Sequence, residues 1–445
     1  MARIRGLWIT LKSSLWFVPA ISVLIAAGLA VGLVELDSQL HLNLARQWPS
    51  FFGLSADGSR SILATIAQSV ITIAGVAFSI TIVALSLAAN QYTPRVLRNF
   101  MRDTGNQVVL GGLMGVFTYC VVVLRTIQGG ESPFIPVLSV LFALLLALMA
   151  IGFFIYFIHH VATTIQAAAI ISAIAQETGQ VISSLLPEEA PPGTTDCDLT
   201  DEKQQLLSQN NWRPVYSAES GYLQSVDSDG LVAFARKHGL TIKLQHAIGE
   251  FAIEGKPLVW IHPEKELAPA EVGELNALFF VKAYRTIEQD IAFGIRQIVD
   301  IAVKALSPGI NDPTTALTCV HYLASILCRL VRRHIPPRCR YEGQVLCLVE
   351  RGPDFETLVD LAFDQIRHHG SSQPTVVLSL LAALREIGTV PDRVRKRGET
   401  LLKHADRILE MAEQSITLPS DLAKIRAATK RCKSAIEHGI QSHTE

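Results

Sequence analysis

Charge is scarce in the first 160 residues of this 445-residue chain, which hold nine Lys/Arg and five Asp/Glu, against thirty and thirty-five in the remainder. No basic stripe runs through either part and the formal net charge is −1, so nucleic acid is not an expected partner. The seven cysteines are odd in number and irregular in spacing, with no C-x-x-C, which speaks against a disulfide framework or a structural zinc site. Enzyme signatures are missing too: there is no G-x-x-x-x-G-K-S/T, G-x-S-x-G or H-E-x-x-H, and no G-x-G-x-x-G between a strand and a helix. His368-His369 and Asp354 carry ligand-type side chains, but thirteen scattered histidines make such groupings by chance. Neither catalytic residue, metal nor cofactor is expected.

Long apolar runs are present where charge is not. A bilayer core of roughly 30 Å needs about 20 apolar residues in a helix. Four segments meet this: about 15–34, 62–89, 108–124 and 134–158. Backbone groups in hydrocarbon must bond within their own segment, so each is read as a helix. The first is a retained span and not a signal peptide, because its apolar run is too long and no small-residue cleavage site precedes a mature domain. Lys/Arg near the helix ends set orientation. The N-terminal tail has Arg3, Arg5 and Lys12, and the loop after the second helix has Arg95, Arg98 and Arg102 in a short stretch. Arg46 and Arg60 are spread over the longer first loop, and the loop around Gly129–Ser132 has neither Lys nor Arg. Both termini are therefore expected in the cytoplasm of a bacterial inner-membrane protein. The three arginines after Pro94 form a juxtamembrane basic face suited to anionic lipid, or alternatively a charged vestibule.

The second helix is the most informative. Thr65, Gln68, Thr72, Gly75, Ser79 and Ser86 recur at steps of three, four and seven, which places them on one face. Two readings remain open: a seam where small polar residues hydrogen-bond between helices of one subunit, or the lining of a water-filled pore in a homo-oligomer. The helix has no Asp, Glu, Lys or Arg between residues 62 and 89, which disfavours a proton relay or carboxylate-coupled transport but not a pore. Small-x-x-x-small pairs at Gly28/Gly32, Gly75/Ser79 and Gly111/Gly115 permit close helix contact.

Beyond the spans, the fourth helix is expected to run on through His159-His160 towards Leu186. A linker follows to about residue 211, then a small β-rich module over 212–265, then helices from Pro269 to the end, with Pro313, Pro353, Pro374, Pro391 and Pro419 marking starts. The expected architecture is mainly α: a four-helix transmembrane domain (1–160), a connecting segment (161–211), the β-rich module and a helical cytoplasmic domain (266–445). A long helix is expected from about Glu271 to Leu306. It would carry Arg285, Gln289, Asp290, Arg296 and Asp300, followed by the turn Ser307-Pro308-Gly309-Ile310-Asn311-Asp312-Pro313. Gly309 suits a left-handed turn, Asp312 an N-cap and Pro313 a first helical position. These residues make either a capped turn beside an ion-pair network or a ligand site at a helix N-terminus.

Four stretches carry a resemblance. They are Asn90-Gln91-Tyr92-Thr93-Pro94-Arg95, Ser220-Gly221-Tyr222-Leu223-Gln224, Gln289-Asp290-Ile291-Ala292-Phe293-Gly294-Ile295-Arg296 and Ala305-Leu306-Ser307-Pro308-Gly309-Ile310-Asn311-Asp312-Pro313. With them the chain resembles, over nearly its whole length, a bacterial family of predicted membrane proteins known as a domain of unknown function. The resemblance implies an inner-membrane protein of this architecture and brings no activity. Ile248-Gly249-Glu250-Phe251 is similar to a Gly-Asp-Phe turn of that family, with Glu for Asp. The residues together predict a homo-oligomeric ion channel lined by the second helix, in contact with lipid. The alternative is a membrane-anchored sensor or scaffold that binds a ligand or protein through its cytoplasmic domain.

Overall fold

A computed structural model describes residues 16–40, 55–91, 103–128, 134–188, 211–335, 339–343, 345–390 and 395–441. The basic residues Arg95, Arg98 and Arg102 lie outside the described residues, as does most of the expected linker. The chain divides into two compact units, 1–170 and 171–445.

The first unit is helical. Its helices are α1 (Phe17–Leu40), α2 (Ala56–Gln91), α3 (Thr104–Thr126) and α4 (Val137–Thr164). All four are long and apolar enough to cross a membrane. α3 is the central element and packs against the other three. It can do so because it presents glycine to its neighbours: a Cβ at Gly111 would stand 2.7 Å from Ser22 Oγ and 3.1 Å from the Pro19 Cα, and one at Gly115 would stand 3.4 Å from the Ala26 Cβ. This pair makes the close contact with α1 that its spacing suggested. Gly28, Gly32 and Gly75 instead face open space. Tyr119 is fully buried beside Phe142 and donates its hydroxyl to the Ser139 carbonyl at 3.0 Å. Burial of a phenol is tolerable because that partner satisfies it. The outer surface is apolar, with Leu24, Phe78, Leu148 and Ile155 all more than half exposed, as a lipid-facing surface requires.

α4 does not run on to Leu186. It stops at Thr164, a bend follows at Ile165–Gln166, and α5 (Ala167–Leu185) begins anew. The apolar composition continues through the bend, so hydropathy alone carries no mark of it.

The second unit combines two sheets with a helical array. Its elements are β1 (Arg213–Tyr216), β2 (Gly221–Val226), α6 (Ser228–His238), β3 (Thr241–Leu244), β4 (Phe251–Ala252), β5 (Pro257–His262), α7 (Pro269–Asn276), β6 (Phe279–Lys282), α8 (Ile291–Ala305), α9 (Pro313–Val331), β7 (Cys339–Glu342), β8 (Val345–Val349), α10 (Phe355–Gly370), α11 (Pro374–Gly388), α12 (Arg395–Ser415) and α13 (Pro419–Gln441). One sheet has the order β1-β5-β3-β8-β7, the other β4-β2-β6. α6 is stopped as its sequence requires, by Gly239 at φ 65° in the left-handed region.

Two expectations fail here. The segment 271–306 is not one helix: α7 ends at Asn276, β6 intervenes, and α8 starts only at Ile291. The chain after Pro269 is not helical throughout either, since β6 joins β2 and the β7–β8 hairpin joins β3. β6 and β8 are short apolar runs that pair with strands far earlier in the sequence, and no local period distinguishes them from helix turns; β7 only follows β8, its hairpin partner. A fifth helix, α9, is also long and apolar enough to span a membrane. It buries Cys319, Val320, Leu323, Leu327 and Leu330 and packs against α8 and α11.

Candidate functional site

The polar stripe of α2 points away from its own bundle. With 3.6 residues per turn, Leu63, Ala67, Val70, Ala74, Ala77 and Ala84 fall on one side, and these are the residues buried against the rest of the unit. Thr65, Gln68, Thr72, Gly75, Ser79 and Ser86 lie on roughly the opposite side, and all six are exposed. The seam between helices of one subunit is thus lined by alanine, and the small polar residues stand outside it. Large apolar side chains flank the stripe, Ile71, Phe78 and Ile82 on one edge and Val76, Val83 and Leu87 on the other.

Within the stripe, the Thr65 hydroxyl donates to the Ser61 carbonyl at 2.7 Å and the Thr72 hydroxyl to the Gln68 carbonyl at 2.8 Å. The threonines are therefore satisfied by their own helix. The Gln68 amide makes no hydrogen bond with any described residue. α2 has 36 residues and is about 54 Å long, longer than the roughly 30 Å of a bilayer core, and Gln68 and Thr72 lie in its middle third.

The bundle ends are tied by polar contacts. Asp37, near the end of α1, accepts from the backbone N–H groups of Leu138 and Ser139 at 3.1 and 3.0 Å and from the Ser139 hydroxyl at 2.7 Å. At the far end of α3 and α4, Asp103 caps Gly105 N–H at 2.9 Å, and its other oxygen meets His160 Nε2 at 2.6 Å. Tyr156 stacks on the same imidazole, its ring centroid 5.4 Å away. Nothing in the sequence marks this pair, because its partners stand 57 residues apart. Arg60, at the start of α2, donates to the Ile127 carbonyl at 2.9 Å.

In the second unit, Arg285 and Asp290 form a fork. Nε and Nη2 of Arg285 donate to the two Asp290 oxygens at 2.9 and 3.0 Å. Asp290 also caps α8, its Oδ1 accepting from Phe293 N–H at 2.9 Å, and the guanidinium lies 5.1 Å from the Phe293 ring centroid. Burial pushes the Asp290 carboxyl up, while the Arg285 charge and these hydrogen bonds pull it back. Gly249, at φ 87°, is pressed onto the fork: a Cβ there would overlap Asp290 Oδ2 and stand 2.6 Å from Arg285 Nη2. Gln289 accepts from Val226 N–H at 3.2 Å, and Gln224 donates to the Tyr284 carbonyl at 2.7 Å. Three of the stretches singled out in the sequence, 220–224, 248–251 and 289–296, thus meet around one ion pair. Arg296 and Asp300 sit further along α8 and are half-buried.

The turn before α9 closes on itself. Asp312 accepts from Thr315 N–H at 3.1 Å and pairs with the Thr315 hydroxyl at 2.5 Å, and these bonds hold its carboxyl below the usual carboxylate range. The left-handed residue is Asn311 at φ 48°, and Gly309 has no positive φ. Asparagine tolerates that region because its short side chain finds a local partner, here Gln373 Nε2 at 3.1 Å from its Oδ1. The Asp290 and Asp312 carboxylates are committed to guanidinium, hydroxyl and backbone donors, an arrangement suited to holding the chain.

A family model described as "Predicted membrane protein (DUF2254)" matches residues 12–386. The chain belongs to this family. DUF2254 relatives include an uncharacterized protein of Mycobacterium tuberculosis (strain CDC 1551 / Oshkosh), 32% identical over 96% of this chain and 81% of its own length. Another is an uncharacterized protein of Mycobacterium bovis (strain ATCC BAA-935 / AF2122/97), 31% identical with the same coverage. No solved structure matches this DUF2254 chain.

Proposed function

We propose that this protein is a homo-oligomeric ion-conducting pore of the bacterial inner membrane, with α2 lining the conduit and the second unit serving assembly or gating. The observation that carries the reading is the direction of the α2 stripe. In hydrocarbon an amide without a partner costs several kcal/mol, on the order of 4–8 for transfer from water to an alkane. The Gln68 side chain is exposed and its amide makes no hydrogen bond with any described residue. Water in a conduit, or the same stripe on a second copy, removes that cost. A narrow polar strip between bulky apolar edges also fits helices arranged round an axis, with the strip inward and the edges at the contacts between copies. The absence of full charges on the strip suits passive conduction better than coupled transport.

The test is ion flux through purified protein in liposomes, comparing wild type with Gln68→Leu and Thr72→Leu. Flux that both substitutions alter supports the assignment. Flux that neither alters removes α2 from the pore, and no flux under salt gradient, voltage or osmotic stress removes the pore itself. The self-satisfied Arg285–Asp290 fork does not favour the sensor alternative.

A further inference from the structure

Asp360 and Asp364 are one helical turn apart on α10, so their side chains share a face. His404, on α12, packs against that face. One ligand atom from each of the three lies within 4.8 Å of the others. Acidic groups alone would say nothing, but His404 is only 1% exposed and neither of its ring nitrogens meets the geometry of a hydrogen bond with a described residue. Its Nε2 stands 2.9 Å from Asp360 Oδ1.

We propose that Asp360, Asp364 and His404 hold one divalent transition-metal ion of the Mn2+ to Zn2+ series. With metal–ligand bonds of about 2.1 Å, a separation of 2.9 Å between Nε2 and Oδ1 subtends about 90° at the ion, as for neighbouring ligands of a five- or six-coordinate site. The imidazole selects this series over Mg2+ and Ca2+, which prefer oxygen alone. Arg407 donates to Asp360 Oδ1 at 3.0 Å and Arg367 to Asp364 Oδ1 at 2.9 Å. These arginines orient the carboxylates from outside, and Asp360 Oδ1 keeps a second lone pair for the ion. Solvent water completes the coordination, since both aspartates reach the surface.

The site is independent of the pore reading. It is tested on tag-free, full-length protein in detergent, stripped with chelator and dialysed against Zn2+ or Mn2+ with excess Mg2+. The expected result is one ion retained per chain, with affinity reduced at least tenfold in Asp364→Asn and in His404→Gln. Because His404 is buried and its variant could misfold, Asp364→Asn decides: if it elutes as wild type and binds the ion as wild type, the proposal is overturned. Failure of the wild type to retain any ion overturns it equally.

Discussion

Asp37 accepts two hydrogen bonds from Ser139, one from its hydroxyl at 2.7 Å and one from its backbone N–H at 3.0 Å. An acidic side chain from the end of α1 thereby serves as the cap that Pro136 cannot provide for α4, and it sits where the helix dipole is positive. Asp37→Ala should lower stability by about 1–2 kcal/mol, as loss of a strong N-cap does. The midpoint of thermal unfolding in detergent should fall, and Ser139→Ala, which keeps the two backbone bonds, should lower it less. Equal midpoints for Asp37→Ala and wild type would show that the contact carries no weight.

Accessibility of α2 offers a second check on its orientation. Ser79→Cys and Thr72→Cys should react with a charged, water-soluble thiol reagent in the assembled protein, whereas Ala74→Cys, on the buried face, should not. Reaction at Ala74→Cys but not at Ser79→Cys would turn the helix around.

Removal of one partner from the fork in the second unit should be severe. Arg285→Ala leaves the buried Asp290 carboxylate unpaired and should cost about 3–5 kcal/mol. Gly249→Ala should also destabilise, by about 1–3 kcal/mol, since alanine strains φ 87° and its Cβ meets the fork. Chemical unfolding of the two single variants and the double variant should give a sum larger than the observed double effect, because both act on one contact.

Acid should act partly through Asp312. Its carboxyl is held below the usual range by Thr315, so its contribution to stability is present above about pH 4 and is lost as pH falls through the lowered value. Asp312→Asn should therefore lower stability near neutral pH by up to about 1 kcal/mol and flatten the decline at acid pH. Parallel unfolding curves for wild type and variant from neutral to acid pH would sink this assignment.

Much of the first unit was legible in the sequence because uncharged runs of sufficient length leave few alternatives. The stripe on α2 was legible as a period, but its direction was not. Which face of a helix is buried depends on what the neighbouring helices offer, and α3, against which α2 packs, lies further along the chain. The cap at Asp312 obeys local chemistry and was readable; those at Asp227 and Asp354 follow the same chemistry but were not singled out. β6 was not, because Phe279–Lys282 forms a strand only when β2 supplies a partner. His404 gave no sign at all, since its meaning lies in two aspartates on another helix.

The parallel pairing of β3 with β8 joins Ile242 to Leu348 and Lys243 to Val349. During synthesis the first of these strands leaves the ribosome about a hundred residues before the second. For that interval β3 has one unpaired edge, open to any extended segment nearby. A fragment ending at residue 265 would keep that edge permanently, and would leave β2 without β6 as well. Such a fragment should aggregate when expressed alone, and the shortest soluble piece containing β3 has to extend past Val349.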